Sequence, residues 1–183
     1  MISTQRCLLR TYAEEDIEPI IAFYQKNEQF LKPWEPQRTQ SIFTKSYWQQ
    51  AIKKNILDYD EKKALPLLIV NKKTQALMGF IHFNNFEYEP FLNCRVGYKL
   101  GEEYQGQAYM YESLQAAMAY IFNETKIRRI EANFIPNNKR SERLLKKLGF
   151  EVHGIAPAYL QINGQWQDHC LSSLLKDVFN KKN

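Results

Sequence analysis

The densest chemistry in this chain lies in Gly101-Glu102-Glu103-Tyr104-Gln105-Gly106-Gln107-Ala108-Tyr109-Met110. A strand-like stretch, Arg95 to Leu100, ends just before it and an amphipathic helical pattern begins just after it. A small-residue loop feeding a helix N-terminus presents unpaired backbone N–H groups together with the positive end of the helix dipole, which suits a pyrophosphate. Gly106 and Ala108 let a phosphate approach backbone that a larger side chain would hold away. The same pattern also describes a plain strand-to-helix turn, and the residues alone leave both readings open. A second window follows, Arg129-Ile130-Glu131-Ala132-Asn133-Phe134-Ile135-Pro136-Asn137-Asn138-Lys139-Arg140-Ser141, running on to Leu148-Gly149-Phe150. Asn138 offers a donor and an acceptor to a ligand, and it also stands where a helix N-cap belongs; the two roles are compatible. Ser141 supplies a hydroxyl for a departing group, or only a backbone-bonded serine. Glu87, Glu89, His82 and His169 are the remaining acid–base candidates. Neighbouring strand residues face opposite ways, so Asp168 cannot orient His169. His169 therefore reads as a structural residue at a hairpin's end, and His82 as a satisfied core or cleft residue.

The elements that must position these groups follow from periodicity. Arg6 to Tyr12 reads as an opening strand. A helix follows, its first turn loaded with carboxylates at Glu14, Glu15 and Asp16, and Ile17, Ile20, Ile21 and Tyr24 recur at helical spacing. Leu31-Lys32-Pro33-Trp34-Glu35-Pro36 is expected to be irregular, because each Pro biases its predecessor toward an extended shape. A second helix spans about Thr44 to Leu57. Leu67–Val70, Leu77–Phe83 and Arg95–Leu100 predict three strands, the first two a hairpin. Met110, Leu114, Ala117, Met118, Ile121 and Phe122 form one helical stripe. Ile127–Phe134 reads as a strand and Lys139–Leu148 as a helix stopped by Gly149. Phe150 to Leu175 reads as two strands joined by the Asn163-Gly164 turn. The expectation is an α/β (mixed α+β) sheet of about seven strands and four helices in a single domain, residues 1–183.

Composition narrows the classes. With 44% hydrophobic residues, 25% charged, and only 7 Gly and 7 Pro, disorder and fibrous repeats are excluded. No apolar run approaches the ~20 residues that span a bilayer, and the first twenty residues lack the apolar region of a signal peptide. The 3 cysteines, Cys7, Cys94 and Cys170, are scattered, so no zinc site or disulfide framework is expected. The net charge of +5 suits an anionic ligand or ribonucleoprotein surroundings, and a lysine-rich solvated face equally well.

In order along nearly the whole chain, these motifs resemble the GNAT family of acetyl-CoA-dependent N-acetyltransferases. Their pyrophosphate loop reads roughly Q/R-x-x-G-x-G/A; here it is Glu103-Tyr104-Gln105-Gly106-Gln107-Ala108, with Glu103 replacing the usual Gln or Arg. Tyr104, Gly106, Ala108 and Glu112 fit the Rim-type version of the loop. Ala132-Asn133 with Pro136 and Asn138-Lys139-Arg140-Ser141 is similar to the RimJ-like ribosomal-protein-alanine N-acetyltransferases. So are Phe30–Pro36 and Tyr159–His169.

The resemblance implies a sheet splayed open between Arg95–Leu100 and Ile127–Phe134, with the pantetheine arm of acetyl-CoA in the splay against the backbone of Val96, Tyr98 and Leu100. It places the pyrophosphate on the amides of Gln105, Gly106, Gln107, Ala108, Tyr109 and Met110, with Asn138 holding the arm. CoA is then the product. Leu145 stands where many relatives carry a tyrosine acid, which leaves Ser141 as the nearest hydroxyl. Arg95 stands where relatives often carry a glutamate base, so no base is assigned. Trp34, Glu35, Tyr159 and Trp166 are the candidate acceptor-binding residues.

The expected activity is acetylation of an N-terminal Ala or Ser on a small-subunit ribosomal protein, in the cytoplasm, by a monomer or dimer that binds no metal, DNA or membrane. Two alternatives stand beside it. One is acetylation of a polyamine or other small amine, which would call for a strongly acidic cleft. The other is a ribosome-assembly role, resting on the basic run Lys126, Arg128, Arg129, Lys139, Arg140, Arg143, Lys146 and Lys147.

Overall fold

The computed structural model describes residues 1–182. In chain order its elements are β1 (Ile2–Ser3), β2 (Cys7–Arg10), α1 (Ile17–Leu31), α2 (Lys45–Asp60), β3 (Leu65–Asn71), β4 (Leu77–Glu87), β5 (Asn93–Leu100), α3 (Tyr109–Glu124), β6 (Arg129–Glu131), α4 (Lys139–Leu148), β7 (Glu151–Ile162), β8 (Gln165–Leu175) and α5 (Lys176–Lys182). One sheet holds all the strands in the order β1-β2-β3-β4-β5-β6-β8-β7. Among the described residues only β5 and β6 pair in parallel. The mixed α/β expectation holds, with one strand and one helix more than anticipated.

Period-two alternation divides the core between the two faces of the sheet. Leu67, Ile69, Ile81 and Phe83 pack on one face against Leu114, Met118 and Phe122 of α3 and Leu145 and Leu148 of α4. Leu68, Val70 and Phe80 pack on the other against Ile20 and Tyr24 of α1 and Trp48 and Ile52 of α2. Covered on both sides, β3 is buried from Leu65 through Val70 and so reads as an unbroken apolar run.

Several elements depart from the sequence expectation. β1 is too short to be seen by periodicity and is added to the sheet by pairing with β2. α5 was missed because its seven residues have only tertiary support, chiefly Phe179 packed on Phe122 at 5.3 Å between ring centroids. The expected strand Ile127–Phe134 is regular only over Arg129–Glu131. The segment Leu31–Pro36 is not wholly irregular. Leu31 ends α1 and Lys32–Trp34 adds a 3-10 turn, in which Pro33 sits where its missing N–H is not needed. Glu35, before Pro36, is extended, as the proline rule requires. Asp16 ends the acidic turn as a buried clamp, accepting both guanidinium nitrogens of Arg10 at 2.6 and 2.7 Å.

The feature that matters for function is the separation of β5 from β6. Their register covers only Asn93↔Arg129, Cys94↔Ile130 and Arg95↔Glu131. β6 pairs with β8 on its other edge over the same residues, and beyond Glu131 the chain stays with β8 alone, through Ala132 N–H to Ser172 O at 3.0 Å and the Phe134↔Cys170 bridge. Val96–Leu100 therefore keeps β4 on one side and has an open edge on the other.

Candidate active site

The loop leaving β5 is built from two left-handed residues. Gly106 has φ +74° and Ala108 φ +62°, so the backbone reverses around Gln107 and delivers α3 with its N-terminus facing the open edge of β5. The first helical bond of α3 runs from Glu112 N–H to Ala108 O, and Ala108 offers no side-chain cap. The amides that open α3 are thus available to a ligand. A Cβ built on Gly106 meets nothing within 4 Å, which leaves the space a phosphate needs. One part of the predicted cradle is corrected. The Gln105 N–H donates to Glu102 O at 3.1 Å within a 3-10 turn, and its side-chain amide donates to Leu100 O at 2.9 Å. Gln105 braces the loop, and the open amides begin after it. Gln107 turns its side chain back onto Glu103 O at 2.9 Å.

Glu103, the departure from the family pattern, points away. Its carboxylate pairs with Lys26 of α1 at 2.7 Å, and the Lys26 hydrogen bond holds its pKa below the usual carboxylate range. Two further anchors escaped the sequence reading. Asn27 is buried on α1, where its Oδ1 accepts the Glu102 N–H at 2.8 Å and its Nδ2 donates to Phe23 O at 2.8 Å. A polar residue on the apolar stripe Ile20-Tyr24-Asn27-Leu31 was the available signal. Arg6, before β2, ties the start of α3 to the N-terminal hairpin. Its backbone N–H and Nε donate to the two Glu112 oxygens, each at 2.7 Å, and its guanidinium lies 4.2 Å from the Tyr109 ring centre.

From this loop a cleft of about 710 Å³ runs along the open edge of β5 and on to the β7–β8 hairpin. Val96, Tyr98, Leu100, Gly106, Ala108 and Met110 line it. Asn138 caps α4, its Oδ1 accepting the Ser141 N–H at 3.1 Å, which leaves the amide nitrogen free to donate. The Ser141 hydroxyl lies 2.7 Å from the hydroxyl of Tyr98. The resemblance enlists Tyr98 only through its backbone; the hydroxyl contact comes from the fold. Burial pushes the Tyr98 pKa up to about 12, so the pair stays protonated at neutral pH. Leu145 is buried in the core beneath α4.

The acceptor half of the cleft is only partly as expected. Trp34 lines it with 37% of its surface exposed. Glu35 lines it too, but its charge is matched by Lys99 and by Arg38, whose Nε lies 2.7 Å from Oε2. Burial alone would raise the Glu35 pKa; Lys99 and Arg38 outweigh it and hold the carboxyl below its ordinary value. Trp166 does not form the opposite wall: it pairs with Gln161 and is 65% exposed. The period of two turns it away from Leu160, Ile162 and His169, which do line the cleft. Tyr159 stands behind His169 at 5.5 Å between ring centroids, its hydroxyl accepting from Asn133 Nδ2 at 3.2 Å.

Glu87 and Glu89 are excluded from the acceptor cleft. They flank the start of β5, where Glu89 lines a separate groove with Tyr59 and Lys126. His82 is not a satisfied core residue, since its Nε2 is buried without a partner, and burial lowers its pKa. The basic run is largely committed: Arg128 to Asp177, Arg129 to Glu131, and both Lys139 and Lys146 to Glu142. Arg140 and Arg143 line the cleft, with Arg140 5.2 Å from the Phe30 ring centre.

A left-handed glycine loop opening a helix, beside a strand edge left free by a splayed sheet, offers open amides and space to a long phosphorylated ligand. Sequence and structure comparisons agree with it. Residues 6–151 match the family described as acetyltransferase (GNAT) domain. The chain is 36% identical, over 94% of its length and 89% of the relative's, to the [ribosomal protein uS5]-alanine N-acetyltransferase of Escherichia coli. The crystal structure of the ribosomal-protein-S5-alanine acetyltransferase from Vibrio fischeri superposes with a TM-score of 0.91 at 31% identity, covering 97% of each chain. Mycobacterium smegmatis RimJ, solved with CoA-disulfide, shares the fold with a TM-score of 0.90 at 21% identity, covering 96% of this chain and 87% of that one. No helix among the described residues is long and apolar enough to cross a membrane. On its loop, its splayed sheet and these matches, the chain belongs to the GNAT family of acetyl-CoA-dependent acetyltransferases.

Proposed function

We propose that residues 1–183 act as one unit that moves the acetyl group of acetyl-CoA onto the N-terminal α-amine of a ribosomal protein, with Ala or Ser first, in the cytoplasm. The similarity to the Escherichia coli enzyme supports this acceptor, and one observation on the cleft favours it over a polyamine. Glu35 is the one carboxylate among the lining residues, and Lys99 and Arg38 already match it. With Arg140 and Arg143 alongside, the cleft carries no net negative charge to gather a polycation. A peptide N-terminus carries a single charge and loses it near pH ~7.7–8.0, far below a lysine at ~10.4.

In this reading the open amides of α3 bind the pyrophosphate, and the free edge of Val96–Leu100 takes the pantetheine arm as a strand would. The free amide nitrogen of Asn138 donates to that arm while its oxygen caps α4. The amine's lone pair attacks the thioester carbonyl carbon, the carbon–sulfur bond breaks, and CoA leaves as a thiolate. Tyr98, at about 12, holds its proton more tightly than an ordinary thiol such as cysteine, at ~8.5, so it does not surrender it to the thiolate. The Tyr98–Ser141 pair therefore stabilises the departing sulfur by hydrogen bonding, and solvent completes its protonation. Trp34 covers the first residues of the peptide.

A panel of peptides with free Ala, Ser and Met N-termini, acetyl-blocked controls and spermidine tests the proposal. Turnover of free Ala and Ser peptides is expected. Turnover of spermidine alone would overturn the acceptor assignment.

A further inference from the structure

Acetyl transfer to an amine needs a group that removes a proton from nitrogen, and the usual glutamate position is occupied by Arg95, which pairs with Glu131 at 3.3 Å. The three histidines differ in what they can do. His82 Nε2 is sealed in the protein without a partner among the described residues. His153 Nε2 is engaged with Ser173 Oγ at 2.6 Å on the outer strand β7. His169 is different: only 4% of it is exposed, and that part lines the cleft.

The tautomer of neutral His169 follows from its neighbour. Nδ1 lies 3.1 Å from the backbone carbonyl oxygen of Gln167. A carbonyl only accepts, so Nδ1 carries the hydrogen and Nε2 the lone pair. Nε2 makes no hydrogen bond among the described residues and, unlike that of His82, is not sealed away. The ring is held by the β8 backbone, by Tyr159 of β7 at 5.5 Å, and by strand register, which puts it on the cleft face. Asp168 faces the other way and accepts the Ala158 N–H at 2.9 Å. The charged and titratable groups sharing the cleft are Glu35 before α2, Tyr98 and Lys99 of β5, Tyr104 of the loop after it, Tyr109 and Tyr111 of α3, and Arg140 and Arg143 of α4. Tyr159 stands behind the ring from β7.

We propose that His169 is the general base of the reaction, its Nε2 taking the proton that the amine loses as the nitrogen–carbon bond forms. The electron pair of the breaking carbon–sulfur bond leaves with the sulfur, beside Ser141 and Tyr98. The histidine returns its proton to solvent, and the thiolate gains one there, so the sum is amine plus acetyl-CoA giving amide plus CoA. The inference rests on the proposed function only in that the acceptor is an amine; a peptide and a small amine would use the same base.

The test uses whichever amine the wild-type protein turns over. His169→Gln and His169→Asn should lower kcat about 100-fold, within the ~10²–10⁴ range of general-base contributions. The Kd for acetyl-CoA should stay within twofold. In the wild type kcat should rise with pH along a limb that both variants lack. A retained kcat and pH limb, or a parallel loss of acetyl-CoA affinity, would overturn the assignment. Nitrogen-15 NMR of the histidine-labelled wild-type protein decides the matter even if both variants fail to fold. Neutral His169 must carry its hydrogen on Nδ1, and its titration must match the kinetic limb; the opposite tautomer refutes the role. A wild type that turns over only spermidine removes the peptide acceptor and leaves the base testable.

Discussion

Gly106 separates cofactor binding from stability, because its two constraints act on different states. Its φ of +74° lies in the left-handed region, where an ordinary residue is strained by ~1–2 kcal/mol. Part of that is offset, by ~0.4–1 kcal/mol, because the unfolded chain loses freedom when Gly is replaced. No atom crowds a Cβ there within 4 Å, so Gly106→Asp should cost the free protein about 1 kcal/mol and lower its Tm by ~2–4 °C. The acetyl-CoA complex suffers more. A carboxylate about 5 Å from one phosphate charge, at an effective dielectric of 20, is unfavourable by ~3 kcal/mol. That corresponds to a Kd weakened about 150-fold, before any steric loss of amide contacts is added. Calorimetric titration with acetyl-CoA, beside a thermal melt of the free protein, measures both quantities. Gly106→Ala carries the bulk without the charge, so it should fall between wild type and Gly106→Asp in Kd, with a Tm no higher than the latter's, because Asp tolerates the left-handed region better than Ala. A Kd within threefold of wild type for Gly106→Asp, with the melt as predicted, would refute the pyrophosphate placement.

Other expectations rest on separate contacts. Tyr98→Phe and Ser141→Ala should each lower kcat about tenfold while leaving the acetyl-CoA Kd unchanged; the double variant should be no worse than the poorer single one, and additive losses would show that the hydroxyls act apart. Asn138→Ala should lower stability by ~1 kcal/mol through the lost cap and also weaken acetyl-CoA binding, whereas Asn138→Asp, which still caps, should restore the melt but not the affinity. The Glu35 carboxyl is held below its ordinary value by Lys99 and Arg38 against the opposing effect of burial. A group depressed in the folded state stabilises above its unfolded pKa, and that stability disappears as pH falls through the folded value. Thermal melts between pH 6 and pH 3 should therefore show less acid destabilisation for Glu35→Gln than for wild type, and identical slopes would mean that the pair contributes nothing. Leu145→Ala, at a core position only 2% exposed, should cost ~2–5 kcal/mol of stability and leave the reaction's pH profile unchanged in whatever protein remains folded.

Local features were legible in the sequence wherever backbone geometry or burial acts over a few residues. The apolar stripe of α3, the Asn163-Gly164 turn and Gly149 at the end of α4 each state their structure through spacing or a conformational requirement. So did the loop before α3, because a phosphate needs bare amides and small residues in one short run. Sequence reading failed where the deciding partner is remote in the chain. Glu103 departs from the family's loop pattern, and only Lys26, on α1, shows where its carboxylate goes. Glu35 is a candidate acceptor-binding residue in the sequence, yet Lys99 of β5 and Arg38 compensate its charge. Tyr98 and Ser141 are separated by the whole of α3, and only the splay of β5 from β6 brings their hydroxyls to 2.7 Å. Trp166 and His169 are three positions apart on β8, so their opposite fates depend on which face of that strand meets the cleft, and the register with β7 settles it. Even the state of His169 is tertiary. The strand's own backbone places a carbonyl against Nδ1, but the fold of the hairpin over the cleft decides that the bare nitrogen faces the site. Period and loop chemistry are written in neighbouring residues; which side chains meet, and which charges cancel, is decided when distant segments share the same few ångströms.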